Sequence, residues 1–136
     1  MTDRPTRSRC VLVVEDNPDN RTLATKVLRR AGFDTREADR AEGLEAILAE
    51  LRPDLILMDM ELPGMSGYAA VQQLKSGPAT SDIPIIALTA YAMQEDRQRC
   101  LRVGCSDYLS KPLDIGLLVE AVRKHLKPEA SSERAF

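Results

Sequence analysis

The chain contains no tryptophan, and aromatic residues make up only 4% of its 136 residues. A platform of rings for stacking bases is therefore missing. Basic charge is not in excess: 19 Lys and Arg stand against 21 Asp and Glu, a formal net charge of −2. No basic stripe runs along a groove-reading element, which argues against nucleic-acid binding by this chain alone. Histidine occurs once, and the three cysteines, Cys10, Cys100 and Cys105, lack metal-ligand spacing and form an odd set. They read as reduced, mostly buried thiols of a cytosolic protein. No apolar run approaches membrane-spanning length. The basic segment Met1–Arg9 is followed only by Cys10–Val14, which ends in acids and is too short for a signal peptide. A cytoplasmic protein without membrane partners is expected.

What is present is a core. Hydrophobic residues form 43% of the chain and charged residues 29%, enough for one compact domain. Cys10–Val14 is a continuous, branched apolar run, as in a strand buried on both faces. Leu23, Ala24, Val27, Leu28 and Ala31 then recur at helical spacing until Gly32. Phe33–Ala38 is a weaker, edge-like strand, and Ala41, Leu44, Ile47, Leu48 and Leu51 predict a helix ended by Arg52-Pro53. Leu55–Met58 and Pro84–Leu88 are further buried strands, separated by a Leu62–Gly67 loop and a short helix carrying Ala70, Val71 and Leu74. A helix over Gln94–Val103 stops at Gly104, Asp107–Ser110 is strand-like, and Ile115, Leu118, Val119, Val122 and Leu126 stripe a last helix broken by Pro128. Repeated strand–helix units with right-handed crossovers predict a doubly wound α/β parallel sheet. Periodicity alone leaves the strand order open. Residues 1–8 and 128–136 are expected to be flexible tails around a domain spanning 9–127.

Ligands of open parallel sheets bind beyond the carboxyl ends of the strands. The first strand runs into Glu15-Asp16, the third into Asp59, the fourth into Thr89 and the fifth into Lys111-Pro112. Three carboxylates at one edge repel one another and call for a cation or a proton. Oxygen ligands without His or Cys suit a hard ion, and Mg²⁺ fits best. A lysine and a threonine beside that ion form a clamp for oxyanions, and the ligand that uses all three at once is a phosphoryl group. Asp59 is then the nucleophile that would form an aspartyl phosphate.

The segments Val13–Asn17, Leu55–Gly67, Ala87–Ala90 and Ser110–Pro112 resemble the receiver domains of response regulators in order and spacing, over nearly the whole chain. The resemblance implies a flavodoxin-like five-stranded sheet of order 2-1-3-4-5 with five helices. It makes Asp59 the phosphoacceptor of a two-component system or phosphorelay, charged from a phosphohistidine. Asp16, Asp59 and the backbone carbonyl of Glu61 would ligate Mg²⁺, with Glu15 acting through water. Thr89 and Lys111 would bind phosphoryl oxygens, and the Lys111–Pro112 bond would be cis. Thr89 and Tyr108 are the implied switch pair; Glu61 and Tyr91 occupy the positions that tune phosphoryl lifetime. The implied partners are a sensor histidine kinase or histidine phosphotransfer protein, and a target on the face of the fourth helix, last strand and fifth helix. A phosphorylation-dependent homodimer is a further implied assembly, and a stand-alone regulator is the expected organisation.

Each residue also has a plainer reading. Glu15-Asp16 could complement a helix dipole, Asp59 could be a turn residue, and Tyr108 could be core. His125 reads as a solvated residue near a helix end, Glu95 and Arg99 as a surface pair, and Met58, Met60 and Met65 as core lining. Three other functions compete. A Mg²⁺-dependent phosphohydrolase with an aspartate nucleophile would use Glu61 as its acid, but the chain has no room for a substrate cap. A flavodoxin-like nucleotide or flavin module needs a phosphate loop where Glu15-Asp16-Asn17 stands. A receiver working only as a phosphorylation-independent scaffold would lack part of the residue set.

Overall fold

A computed structural model describes residues 9–91 and 93–126; the expected tails 1–8 and 128–136 lie outside the described residues. The chain alternates strand and helix throughout: β1 (Cys10–Val14), α1 (Pro18–Arg30), β2 (Asp34–Ala38), α2 (Leu44–Glu50), β3 (Leu55–Asp59), α3 (Gly67–Ser76), β4 (Ile85–Thr89), α4 (Gln94–Val103), β5 (Asp107–Ser110) and α5 (Ile115–His125). All strand pairs are parallel, in the order β2-β1-β3-β4-β5. The expected doubly wound sheet is the observed one.

The two faces of the sheet follow from side-chain alternation. Leu12, Val14, Ile56, Met58, Ile85 and Ala87 pack on α2, α3 and α4 through Leu44, Leu48, Val71, Leu74 and Cys100. Val11, Val13, Leu55, Leu57, Ile86 and Leu88 pack on α1 and α5 through Ala24, Leu28, Leu118 and Val122. β1, β3 and β4 are apolar at successive positions because both faces are covered. β2 and β5 sit at the edges, and their polar mixture reflects that position.

The helices nearest the carboxyl edge are capped from the sequence. Asn17 Oδ1 accepts the N–H groups of Asp19 and Asn20 at 2.9 and 3.0 Å, with Pro18 opening α1. Ser66 Oγ caps Ala69 N–H, and Asp114 Oδ1 caps Leu117 N–H. The α1 cap is therefore Asn17, and Glu15 and Asp16 are left for other work. α2 is shorter than its apolar pattern: Ala41 and Leu51 lie outside it, and its start is Gly43 at φ +83° without a side-chain cap.

Two surface expectations and one strand boundary are corrected. His125 is paired, not simply solvated: its Nε2 lies 2.9 Å from Asp107 Oδ2, tying the end of α5 to the start of β5. Arg99 lies over the Tyr68 ring, 3.9 Å from its centroid, and not along Glu95. Phe33 precedes β2 and is buried among the residues beneath α1 and α5. Met58 and Met60 are buried and Met65 packs against them, as expected of core lining. The cysteines are free, with Cys100 and Cys105 buried; burial pushes the Cys105 thiol up to about 12, so it stays protonated. Among the described residues no helix is long and apolar enough to cross a membrane.

Candidate functional site

Parallel pairing brings the strand ends level. Val14 is opposite Met58, Asp59 is opposite Leu88, and Thr89 is opposite Ser110, so the last residues of β3 and β4 share one edge with those just past β1 and β5. Carboxylate oxygens of Glu15, Asp16 and Asp59 all lie within 4.8 Å of one another. Glu15 and Asp59 are buried, 2% and 1% exposed, whereas Asp16 faces solvent. Lys111 Nζ donates to Asp59 Oδ1 at 2.7 Å and lies 4.0 Å from Glu15 Oε1. The Lys111–Pro112 bond is cis, as the resemblance implied.

The electrostatics are those of a crowded anionic pocket. Burial first, and the hydrogen bond with Asp59 next, push the Glu15 carboxyl up to about 7. Burial pulls Lys111 down, but its bond to Asp59 and the charges of Asp59, Glu15 and Glu61 outweigh it, and its ammonium is held above the usual lysine range. One ammonium against several acids leaves negative charge uncompensated. An all-oxygen donor set with one face open to water fits a hard divalent cation.

The remaining site residues are arranged around Asp59. Its Oδ1 also accepts the Glu61 N–H at 2.9 Å, which turns the β3–α3 loop across the site. Thr89 is 1% exposed, and its hydroxyl donates to Glu61 Oε2 at 2.6 Å. Tyr91 takes part through its backbone: its N–H donates to Thr89 Oγ1 at 3.0 Å, while its ring is 63% exposed. Tyr108 is half-buried against the core under α4, and the Arg97 guanidinium caps its ring at 5.0 Å. A cavity of about 300 Å³ lined by Glu15, Asn20, Leu88, Lys111, Pro112 and Leu113 opens beside the acids.

The Ala90 amide, and the partners of the Glu61 side chain, escaped the sequence reading. The Ala90 N–H donates to Glu61 Oε1 at 2.9 Å. The Glu61 side chain itself reaches Thr89 and Ala90, 28 and 29 residues away, and no local pattern signals that contact. The position of a glutamate two residues beyond Asp59 was the only available hint.

A parallel sheet of this order, with acids and a lysine meeting at its carboxyl edge, defines a receiver module of the signalling type. The sequence profile described as the response regulator receiver domain matches residues 11–123, and the chain belongs to that family. It is 39% identical over 118 residues to the polar-differentiation response regulator DivK of Brucella anthropi, covering 85% of this chain and 94% of that protein. It is similar to the solved receiver domain of the sensor histidine kinase PA1611 from Pseudomonas aeruginosa, whose structure has a magnesium ion coordinated in the active-site cleft. Identity there is 36%, the TM-score is 0.78, and 87% and 97% of the two chains are covered. The chemotaxis protein CheY4 of Vibrio cholerae is similar with a TM-score of 0.83 at 26% identity, covering 88% of this chain and all of that one (100%). The family assigns the chain a signalling role in two-component systems and sets aside the flavin-module reading.

Proposed function

We propose that the chain is a phosphoacceptor switch that takes a phosphoryl group onto Asp59 with the help of Mg²⁺. The observation that carries this reading is the contact of Lys111 Nζ with buried Asp59 at 2.7 Å beside carboxylate oxygens of Glu15 and Asp16. Asp16, Asp59 and the Glu61 carbonyl would hold the ion, with Glu15 acting through water. When bound, Mg²⁺ supplies charge neutralisation for the incoming phosphoryl oxygens. An Asp59 carboxylate oxygen forms a bond to phosphorus as the phosphorus–nitrogen bond of a phosphohistidine breaks, and the bonding pair leaves on the imidazole. Lys111 and Thr89 meet the oxygens of the transferred group. Drawing Thr89 toward that group frees space for Tyr108, so the face of α4, β5 and α5 changes.

The donor is a sensor histidine kinase or a histidine phosphotransfer protein, and a protein target reads the α4–β5–α5 face; the phosphorylated form can also pair with a second copy there. No nucleic acid or membrane takes part, the protein works in the cytoplasm, and the switch unit spans residues 9–127. The alternative phosphohydrolase reading needs Glu61 as a proton donor to a leaving group. Its two carboxylate oxygens instead accept hydrogen bonds from Thr89 and Ala90, so both are engaged by this chain's own donors and not directed at a leaving group.

Intact mass after incubation with acetyl phosphate tests the reading. One added phosphoryl group is expected with Mg²⁺ and none with a chelator. A folded protein that gains nothing under either condition would overturn it in favour of a scaffold role. Asp16→Asn removes an exposed acid of the cluster and is expected to weaken Mg²⁺ binding by at least about 10-fold, read by calorimetric titration. Unchanged affinity would place the ion elsewhere.

A further inference from the structure

The Glu61 carboxylate occupies a ring of donors. Its Oε2 accepts the Thr89 hydroxyl at 2.6 Å, its Oε1 accepts the Ala90 N–H at 2.9 Å, and Lys111 Nζ stands 3.5 Å from Oε1. Two of these donors, Thr89 and Lys111, are the ones assigned above to phosphoryl oxygens. The Tyr91 N–H donates to Thr89 Oγ1 at 3.0 Å, and of the two acceptors within reach of the hydroxyl, Glu61 Oε2 at 2.6 Å is nearer than the Tyr91 carbonyl oxygen at 3.3 Å. Both of the short contacts are charge-assisted, of the stronger class of hydrogen bond. A carboxylate presents two anionic oxygens, as does one face of a phosphoryl group.

The geometry points to Glu61 as an internal occupant of the oxyanion clamp: in the unphosphorylated protein its side chain holds Thr89, Ala90 and Lys111, and it must swing out before a phosphoryl group can use them. This inference rests on the phosphoacceptor reading of the same site. Its first consequence is on affinity. When the clamp is open only a fraction of the time, every anion that enters is bound more weakly by that fraction. Its second consequence is on the switch. Thr89 is held on Glu61 before phosphorylation, so release of Glu61 frees the hydroxyl to move to the phosphoryl group, the movement that makes space for Tyr108.

Three variants separate occupancy from mere charge. Glu61→Ala empties the clamp, Glu61→Gln keeps the length without the charge, and Glu61→Asp keeps the charge on a side chain too short to bridge Thr89 and Ala90. Beryllofluoride binding in the presence of Mg²⁺, followed by NMR titration, is expected to tighten on the order of 10-fold in Glu61→Ala and Glu61→Asp. In the protein without metal or anion, the Ala90 amide proton is expected to move upfield in those two variants as its carboxylate acceptor is lost. An Ala90 amide that does not respond overturns the inference. So does Glu61→Asp binding like wild type while Glu61→Gln binds like Glu61→Ala, because charge alone would then explain the gain. If wild type and all variants fail to bind beryllofluoride, the phosphoacceptor reading fails, and the Ala90 amide then decides the Glu61 contact by itself.

Discussion

Asp59→Asn is expected to abolish phosphoryl uptake, leaving no adduct by intact mass under conditions that label the wild type fully. The side chains are nearly the same size, and Asp59 is 1% exposed at the end of a strand buried at all of its positions, so the fold has no reason to rearrange. What is lost is chemistry. An amide oxygen is a far weaker nucleophile than a carboxylate, and an amide does not form a stable acyl phosphate. The substitution also removes one of the three clustered acids and the anionic partner 2.7 Å from Lys111. Far-ultraviolet circular dichroism of the variant checks that it is folded. An adduct that persisted on folded Asp59→Asn would move the acceptor to another side chain and overturn the assignment.

Among the glycines, Gly67→Ala is expected to be the most destabilising substitution by alanine, costing about 3 kcal/mol, or on the order of 10 °C in Tm. Gly67 opens α3 directly against the end of β3. A Cβ there would stand 2.5 Å from Met60 Cα, 2.6 Å from the Asp59 carbonyl oxygen and 2.9 Å from Met60 Sδ. Two of those atoms are backbone, so neither a rotamer change nor a flexible tip relieves the clash. Either the first turn of α3 or the Asp59–Met60 peptide must shift, and the second route displaces the phosphoacceptor. Gly116→Ala is the control. Its Cβ would meet only Asp114 Oδ1, at 3.4 Å, within α5, where alanine is the better helix former. Thermal unfolding should therefore lower Tm sharply for Gly67→Ala and leave it level or slightly raised for Gly116→Ala. A Gly67→Ala protein as stable as wild type would mean that α3 does not seat on β3 as described.

Much of this architecture was readable from local sequence, for a reason visible in particular residues. Val11–Val14, Leu55–Met58 and Ile85–Leu88 are apolar without interruption because helices cover both sheet faces, and a run of that kind has few other uses. Gly104 closes α4 at φ +117°, a conformation that glycine adopts without strain. α2 was overestimated because Ala41 and Leu51 fit a helical period, although Ala41 is buried ahead of the helix and Leu51 is extended. His125 was read as solvated because its partner, Asp107, is on another element, 18 residues earlier.

The sequence by itself determined which residues end the strands, and with them the inventory of the site: Glu15, Asp16, Asp59 and Thr89 follow apolar runs that have only one direction to go, and Lys111 follows the mixed edge strand Asp107–Ser110. The tertiary structure alone decided which of these residues touch. Lys111 meets Asp59 across 52 residues of chain, and Glu61 meets Thr89 across 28. Strand register and the turn of the β3–α3 loop set those distances to within a hydrogen bond, and neither leaves a periodic trace in the chain. Hydrophobic alternation encodes which face a residue takes. The partner of a polar side chain depends on where a distant strand comes to rest.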